Sequence, residues 1–194
     1  MNTFVYMVRH GESPKEGNER TRGLTEKGRI DAQQLTATLN DEEINVVISS
    51  PYIRSILTVE RTAQQIGKEV LVFEGLKERV FSSEDERISE TELLPLLEKS
   101  FSVPNYALNG GESNADCQKR AVKVLKDLLA SYQKKKIVIG THGVVMTLMM
   151  NFYDDKYNLD FLQNLTKPDI YKMEFNEQEL VTVQRLRSGN IKES

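Results

Sequence analysis

The sequence predicts an α/β fold: a three-layer α/β/α sandwich built on a mostly parallel sheet with an antiparallel edge. Three observations carry this. Short runs rich in β-branched and aromatic residues alternate with amphipathic stretches along the chain. The runs are continuously apolar, as suits strands covered on both faces. The last two flank a polar tetrapeptide and read as a hairpin at a sheet edge.

The elements follow in order. Phe4–Val8 is the first strand, and Thr25–Leu39 an amphipathic helix with Ile30, Leu35 and Leu39 turned inward. Val46–Ser49 is the second strand. Ser50-Pro51 then supplies a cap and a proline at the first helical position of a helix over Tyr52–Ile66. Glu69–Phe73 is the third strand. Residues 80–111 break the alternation, being acidic and then irregular, with Pro95, Pro104, Gly110-Gly111 and a short helix over Thr91–Ser100. This stretch reads as a cap-like insertion covering the sheet edge where a site would open, with Glu84-Asp85-Glu86 as a solvated surface run. Ser113-x-x-Asp116 is a capping box opening a helix over Ser113–Tyr132, with Val122, Leu125, Leu128 and Leu129 inward. Ile137–Ile139 is the fourth strand and Val144–Met150 a helix whose Met146, Met149 and Met150 belong to the core. Ile170–Phe175 and Leu180–Leu186 form the hairpin around Asn176-Glu177-Gln178-Glu179. Residues 1–187 are expected to make a single domain, with 188–194 a flexible tail.

Composition narrows the function classes. Hydrophobic content of 39% and charged content of 28% over 194 residues are those of an ordinary soluble protein. A net charge of −3 lacks the basic excess of a nucleic-acid binder. The single cysteine, Cys117, has no partner for an internal disulfide and points to a reducing compartment. The start lacks the basic stretch and long apolar core of a leader, and the longest apolar run, Val144–Phe152, falls far short of the ~20 residues that span a bilayer. The expectation is a cytoplasmic protein with no nucleic-acid or membrane partner.

Chemistry concentrates at strand ends. The chain has two histidines, and each sits in a Gly-flanked motif after an apolar run: Arg9-His10-Gly11-Glu12 and Thr141-His142-Gly143. Ligands in open α/β sheets collect at the carboxyl ends of strands. Ser49-Ser50-Pro51-Tyr52-Ile53-Arg54 meets the same condition after the second strand. Arginine forks match phosphate oxygens and keep their charge, helix starts favour anions, and a neutral imidazole is a nucleophile. Together these groups suit phosphoryl transfer without a metal or other cofactor. A metal site from two histidines and Glu12 is the weaker reading, for want of a close ligand pair such as His-x-x-x-His.

These residues resemble the histidine phosphatase superfamily, the phosphoglycerate mutase-like fold, in its compact phosphatase-type branch. The matches are Arg9-His10-Gly11-Glu12-Ser13, Leu24-Thr25-x-x-Gly28, Ser49-Ser50-Pro51-x-x-Arg54-x-x-x-Thr58, Leu76-x-Glu78, Gly110-Gly111-Glu112-Ser113 and Thr141-His142-Gly143. The resemblance implies that His10 is the nucleophile, that Arg9, Arg54 and His142 hold phosphate oxygens, and that Glu78 protonates the leaving oxygen. Two departures stand out. The family's loop after the acid continues with a glycine, whereas this chain reads Arg79-Val80-Phe81-Ser82-Ser83, so Glu74 or a carboxylate among Glu84–Glu86 is the alternative donor. Many relatives carry a phosphate-touching asparagine where this chain has Glu16, which would repel a phosphate; Asn18, Arg20 or Arg22 are candidates to lean in instead. Glu16, Arg22, Thr25, Glu112 and Ser113 are candidate substrate contacts, Thr25 and Ser113 doubling as helix caps. Phe81, Phe101 and Tyr106 are candidates for an apolar wall.

The expected function is hydrolysis of a small phosphomonoester through a phosphohistidine. The alternatives are a 2,3-bisphosphoglycerate-dependent phosphoglycerate mutase and a catalytically weak phospholigand-binding relative. Pairing of C-terminal edge strands would give a homodimer.

Overall fold

The computed structural model describes residues 2–82 and 88–186. The Glu84–Glu86 run and the expected tail at 188–194 lie outside the described residues. Six strands form one sheet: β1 (Thr3–Arg9), β2 (Val46–Ser49), β3 (Val70–Val72), β4 (Lys136–Thr141), β5 (Asp169–Asn176) and β6 (Glu179–Leu186). Their order is β3-β2-β4-β1-β5-β6. The first four are mutually parallel, and β5 and β6 add the antiparallel edge. The helices are α1 (Glu26–Leu39), α2 (Ile53–Gln65), α3 (Glu90–Ser102), α4 (Asn114–Ser131), α5 (Gly143–Asn151) and α6 (Leu159–Gln163).

Alternation along the central strands builds three layers. Val5 and Met7 of β1, with Ile137 and Ile139 of β4, face a core shared with α4 and α5. Tyr6 and Val8, with Val47 and Val138, face the opposite core under α1 and α2. Period-2 side chains therefore feed both faces, which explains the absence of polar alternation in the strand sequences. α5 is buried along Gly143–Met150, Met146, Met149 and Met150 included, and runs through the larger core.

Several details differ from the sequence reading. Ile30 is 47% exposed; the buried stripe of α1 is Gly28, Ala32, Leu35, Thr36 and Leu39, a 3.6-residue period that leaves Ile30 on the outer side. Pro51 precedes α2 rather than opening it, because Tyr52 is the N-cap. The third strand is trimmed to Val70–Val72, and α3 is longer than expected, with Pro95 inside it. α6 was not expected; Asn158 caps it by accepting from Asp160 N and Phe161 N. Among the described residues no helix is long and apolar enough to cross a membrane.

Candidate active site

Strand register explains why the two histidines share a sequence context. β1 pairs with β4 so that Arg9 stands opposite Thr141, and His10 and His142 leave the sheet side by side. Their rings meet edge to face with centroids 5.1 Å apart. On the other side of β4, Ser49 of β2 stands opposite Gly140, which delivers the Ser50 hydroxyl to 2.6 Å from His142 Nε2.

Hydrogen bonding fixes the tautomer of His10. Its Nδ1 lies 2.7 Å from the Gly11 carbonyl, which only accepts, so Nδ1 carries the proton and Nε2 keeps the lone pair. Arg54 Nε donates to that lone pair at 3.1 Å. Burial, and then the neighbouring charge of Arg54, hold His10 well below the usual imidazole range, so the ring is neutral at physiological pH. His142 is fully buried, and burial followed by Arg54 lowers it in the same way; its Nδ1 has no protein partner.

Arg54 is 1% exposed in the first turn of α2 and stacks on Tyr52 at 4.9 Å. Thr58 ties it to the nucleophile loop: its hydroxyl donates to the Arg54 carbonyl at 2.7 Å and accepts from Gly11 N at 3.0 Å. Burial pulls the Arg54 guanidinium down to about 10, with Arg22 adding to the effect and Glu19 opposing it, so the charge is retained at neutral pH. Arg9, at the end of β1, donates through Nη1 to the Leu165 carbonyl at 2.8 Å, while its Nε is buried without a protein partner. Gly143 is needed beneath it. A Cβ there would stand 3.2 Å from Arg9 Cζ and 3.1 Å from Leu162 Cδ1.

Glu78 rests on the first turn of α5. Its Oε2 accepts from Val144 N at 3.2 Å, and Oε1 from Val145 N at 3.1 Å and Arg79 N at 2.9 Å. Helix starts favour an anion in this position. Arg120 of α4 clamps the segment that carries it, donating to the carbonyls of Gly75 (2.8 Å), Lys77 (2.9 Å) and Glu78 (3.2 Å) and to both carboxylate oxygens of Glu112. Glu112 in turn accepts from Val80 N at 2.9 Å.

Arg9, His10, Arg22, Arg54, Glu78 and Arg79 meet in one cavity of about 720 Å³, with Phe81, Leu93, Leu97 and Leu162 on its apolar side. His142 lies behind His10 rather than on the lining. Of the five expected substrate contacts, Arg22 lines the cavity and four do not. Glu16 is exposed on the loop surface. Thr25 caps α1 and donates to Glu12 Oε1 at 2.9 Å. Glu112 is spent on Arg120, and Ser113 caps α4. Glu74, the alternative acid, pairs with Arg20 and Lys77 outside the lining. Phe101 and Tyr106 do not join Phe81 on the wall.

Three residues escaped the sequence reading. Glu19, not Glu16, brings a carboxylate into the cavity, where it bridges Arg22 and Arg54. Arg79 is 2% exposed, stacks on Phe81 at 4.8 Å, and has Nη1 buried without a protein partner. Arg120 is the third. A charge on the buried stripe of α4, between Cys117 and Ala121, is the signal that would have found it.

The family model for the histidine phosphatase superfamily (branch 1) matches residues 5–186. The chain belongs to this superfamily. It is similar to a probable phosphoglycerate mutase GpmB of Erwinia tasmaniensis, 27% identical over 158 residues, covering 76% of this chain and 73% of that protein. A second probable phosphoglycerate mutase GpmB, from Escherichia fergusonii, is 26% identical over 160 residues, again covering 76% and 73%. Among solved structures, Bacillus stearothermophilus YhfR superposes with a TM-score of 0.77 at 23% identity, covering 92% of this chain and 94% of that one. A mycobacterial glucosyl-3-phosphoglycerate phosphatase gives 0.76 at 17% identity, covering 95% and 97%. These superpositions establish the phosphoglycerate mutase-like fold for this superfamily member.

Proposed function

We propose that this protein hydrolyses a small phosphomonoester by passing its phosphoryl group through His10, with no metal or other cofactor in the chemistry. The observation that carries the reading is a neutral imidazole whose proton is tied to a backbone carbonyl and whose Nε2 lone pair faces a buried guanidinium. In the first step Nε2 attacks phosphorus and the bond to the leaving oxygen breaks, that oxygen taking a proton from the Glu78 carboxyl. In the second, water attacks the phosphohistidine and gives its proton to Glu78, and the P–N bond breaks to release phosphate. Dividing one displacement into two lowers each barrier. Arg9, Arg54 and His142 stabilise charge on the equatorial oxygens, and their fixed placement is worth most in a dry cavity. Arg9 lines the cavity, and its Nε, buried without a protein partner, is available to one of those oxygens. Phe81, Leu93 and Leu97 line this cavity and would pack against the leaving group. The setting is cytoplasmic, and pairing of edge strands would make a homodimer.

Hydrolysis of p-nitrophenyl phosphate without added metal tests the reading. Turnover that disappears in His10→Ala is expected, whereas turnover unchanged in that variant contradicts it.

One observation favours a second reading. Arg79 and Lys167 both line the cavity, and two cations there could receive a second anionic group on the substrate. A phosphoglycerate mutase primed by 2,3-bisphosphoglycerate would use them, as the names of the two curated relatives suggest. Interconversion of 3- and 2-phosphoglycerate with primer present separates the two. A binder without turnover, the third possibility, would hold vanadate yet never label His10.

A further inference from the structure

A phosphate bound as above must share its guanidinium groups with an anion already there. Glu19 reaches the cavity from the loop between β1 and α1. Its Oε2 accepts from Arg54 Nη2 at 3.0 Å and from Arg22 Nη2 at 2.8 Å, and its Oε1 from Arg22 Nε at 3.1 Å. Its backbone carbonyl accepts from Arg54 Nη1. The remaining Arg54 nitrogen, Nε, faces His10 Nε2, the atom proposed to take the phosphoryl group. The Glu19 carboxylate therefore holds Arg22 in the bidentate manner by which arginine binds oxyanions, and takes one Nη of the guanidinium that faces the nucleophile.

Arg22 and Arg54 repel one another, and the Glu19 carboxylate offsets that repulsion. A phosphomonoester dianion offsets it more strongly, since it brings a larger charge and more acceptor oxygens. The carboxylate and the dianion cannot both sit on these forks without like-charge repulsion in a partly desolvated site.

We infer that Glu19 is a built-in competitor for the transferred group: its carboxylate leaves the Arg22 and Arg54 forks as a phosphomonoester binds, and so sets the affinity for the phosphoryl end of the substrate. The loop is suited to the exchange. Residues 14–17 are exposed, and arginine side chains hold the carboxylate. A phosphomonoester displaces Glu19 because it carries two charges; a monoanionic carboxylate or phosphodiester has no such advantage and is held off.

The inference rests on the phosphate site proposed above, and its test reads binding apart from turnover. Inorganic phosphate binding is measured by titration calorimetry in the wild type, Glu19→Gln and Glu19→Ala, alongside kcat and KM for p-nitrophenyl phosphate. Phosphate is expected to bind at least roughly tenfold more tightly in one or both variants, since removal of a competing like charge is worth about one decade or more. KM should fall by a similar factor and kcat by less than about threefold, a split that a purely structural residue would not give. Unchanged or weaker phosphate binding in both variants overturns the inference and makes Glu19 a support for the arginines. Failure of the hydrolase reading leaves a different pattern: tighter phosphate binding in the variants, with no turnover in any of the three proteins.

Discussion

Glu19 and Glu78 both bring carboxylates to one cavity, and they are held in different ways. Glu78 rests on two backbone N–H groups at the start of α5 and on the Arg79 N–H, and Arg120 clamps the segment that carries it through three carbonyls. Thr141 adds a bond from its hydroxyl to the Leu76 carbonyl at 3.0 Å, tying the same segment to β4. Glu19 is held by arginine side chains on a loop with an exposed stretch. Backbone donors and their segment are fixed by the fold, whereas a carboxylate carried on a loop with an exposed stretch is free to leave the arginines that hold it. A proton donor needs a fixed position relative to the leaving oxygen. A group that gives way to substrate needs the opposite. The contrast fits the proton-donor role proposed for Glu78 and the yielding role inferred for Glu19.

The contrast breaks most severely at Arg54, which serves both sides. Arg54→Ala removes the partner of His10 Nε2 and of Glu19 together, and kcat/KM should fall roughly 10³-fold, the scale of losing one preorganised oxyanion donor. A loss below about tenfold would show that Arg54 does not hold the transferred group. Glu78→Gln sharpens the comparison by leaving group. An alkyl phosphate, whose alkoxide leaves poorly, should slow by about 10²-fold or more, while p-nitrophenyl phosphate should be affected far less. Equal losses on both substrates would remove Glu78 from proton transfer.

Arg120→Met tests the clamp without touching the cavity. Freed carbonyls and an unpaired Glu112 should cost about 2 kcal/mol of stability in urea unfolding. The loosened Glu78 segment should lower kcat by roughly tenfold with KM little changed. A KM effect alone would mean that the clamp shapes binding instead.

The smallest effect concerns pH. His10 and His142 have depressed folded-state values, chiefly through burial, while the unfolded chain titrates near ~6.5. Below that pH the unfolded state binds more protons, so their contribution to stability is intact above about pH 7 and declines as the pH falls through 6.5. Between pH 7.5 and 5.5, His142→Gln should lose about 1 kcal/mol less stability than the wild type. Equal losses would mean that His142 is not held neutral in the fold.

Much of this arrangement was legible in the sequence, for definite reasons. Arg9 ends β1, His10 and His142 directly follow β1 and β4, and Arg54 stands in the first turn of the helix after β2; a parallel sheet brings such positions together whatever the loops do. The edge hairpin and the caps at Thr25 and Ser113 followed from turn and capping chemistry, whereas the cap expected at Ser50-Pro51 falls at Tyr52 instead. Glu19 was not legible. It shares an aperiodic loop with Glu16, and nothing in residue type says which carboxylate turns inward. Arg79 was passed over because its role depends on burial against Phe81, which is a tertiary property. α6 was missed because five residues give too short a pattern to read. Ile30 was misplaced by hydrophobicity alone, although the stripe through Ala32, Leu35 and Leu39 already excluded it.

The most direct test of the whole account is chemical. The protein is mixed with a phosphomonoester labelled at phosphorus, quenched within the first turnover, and the label is mapped. The account predicts acid-labile, base-stable phosphate on His10, absent from His10→Ala. Turnover of the same substrate with no label on His10, or with label at another residue, would contradict it.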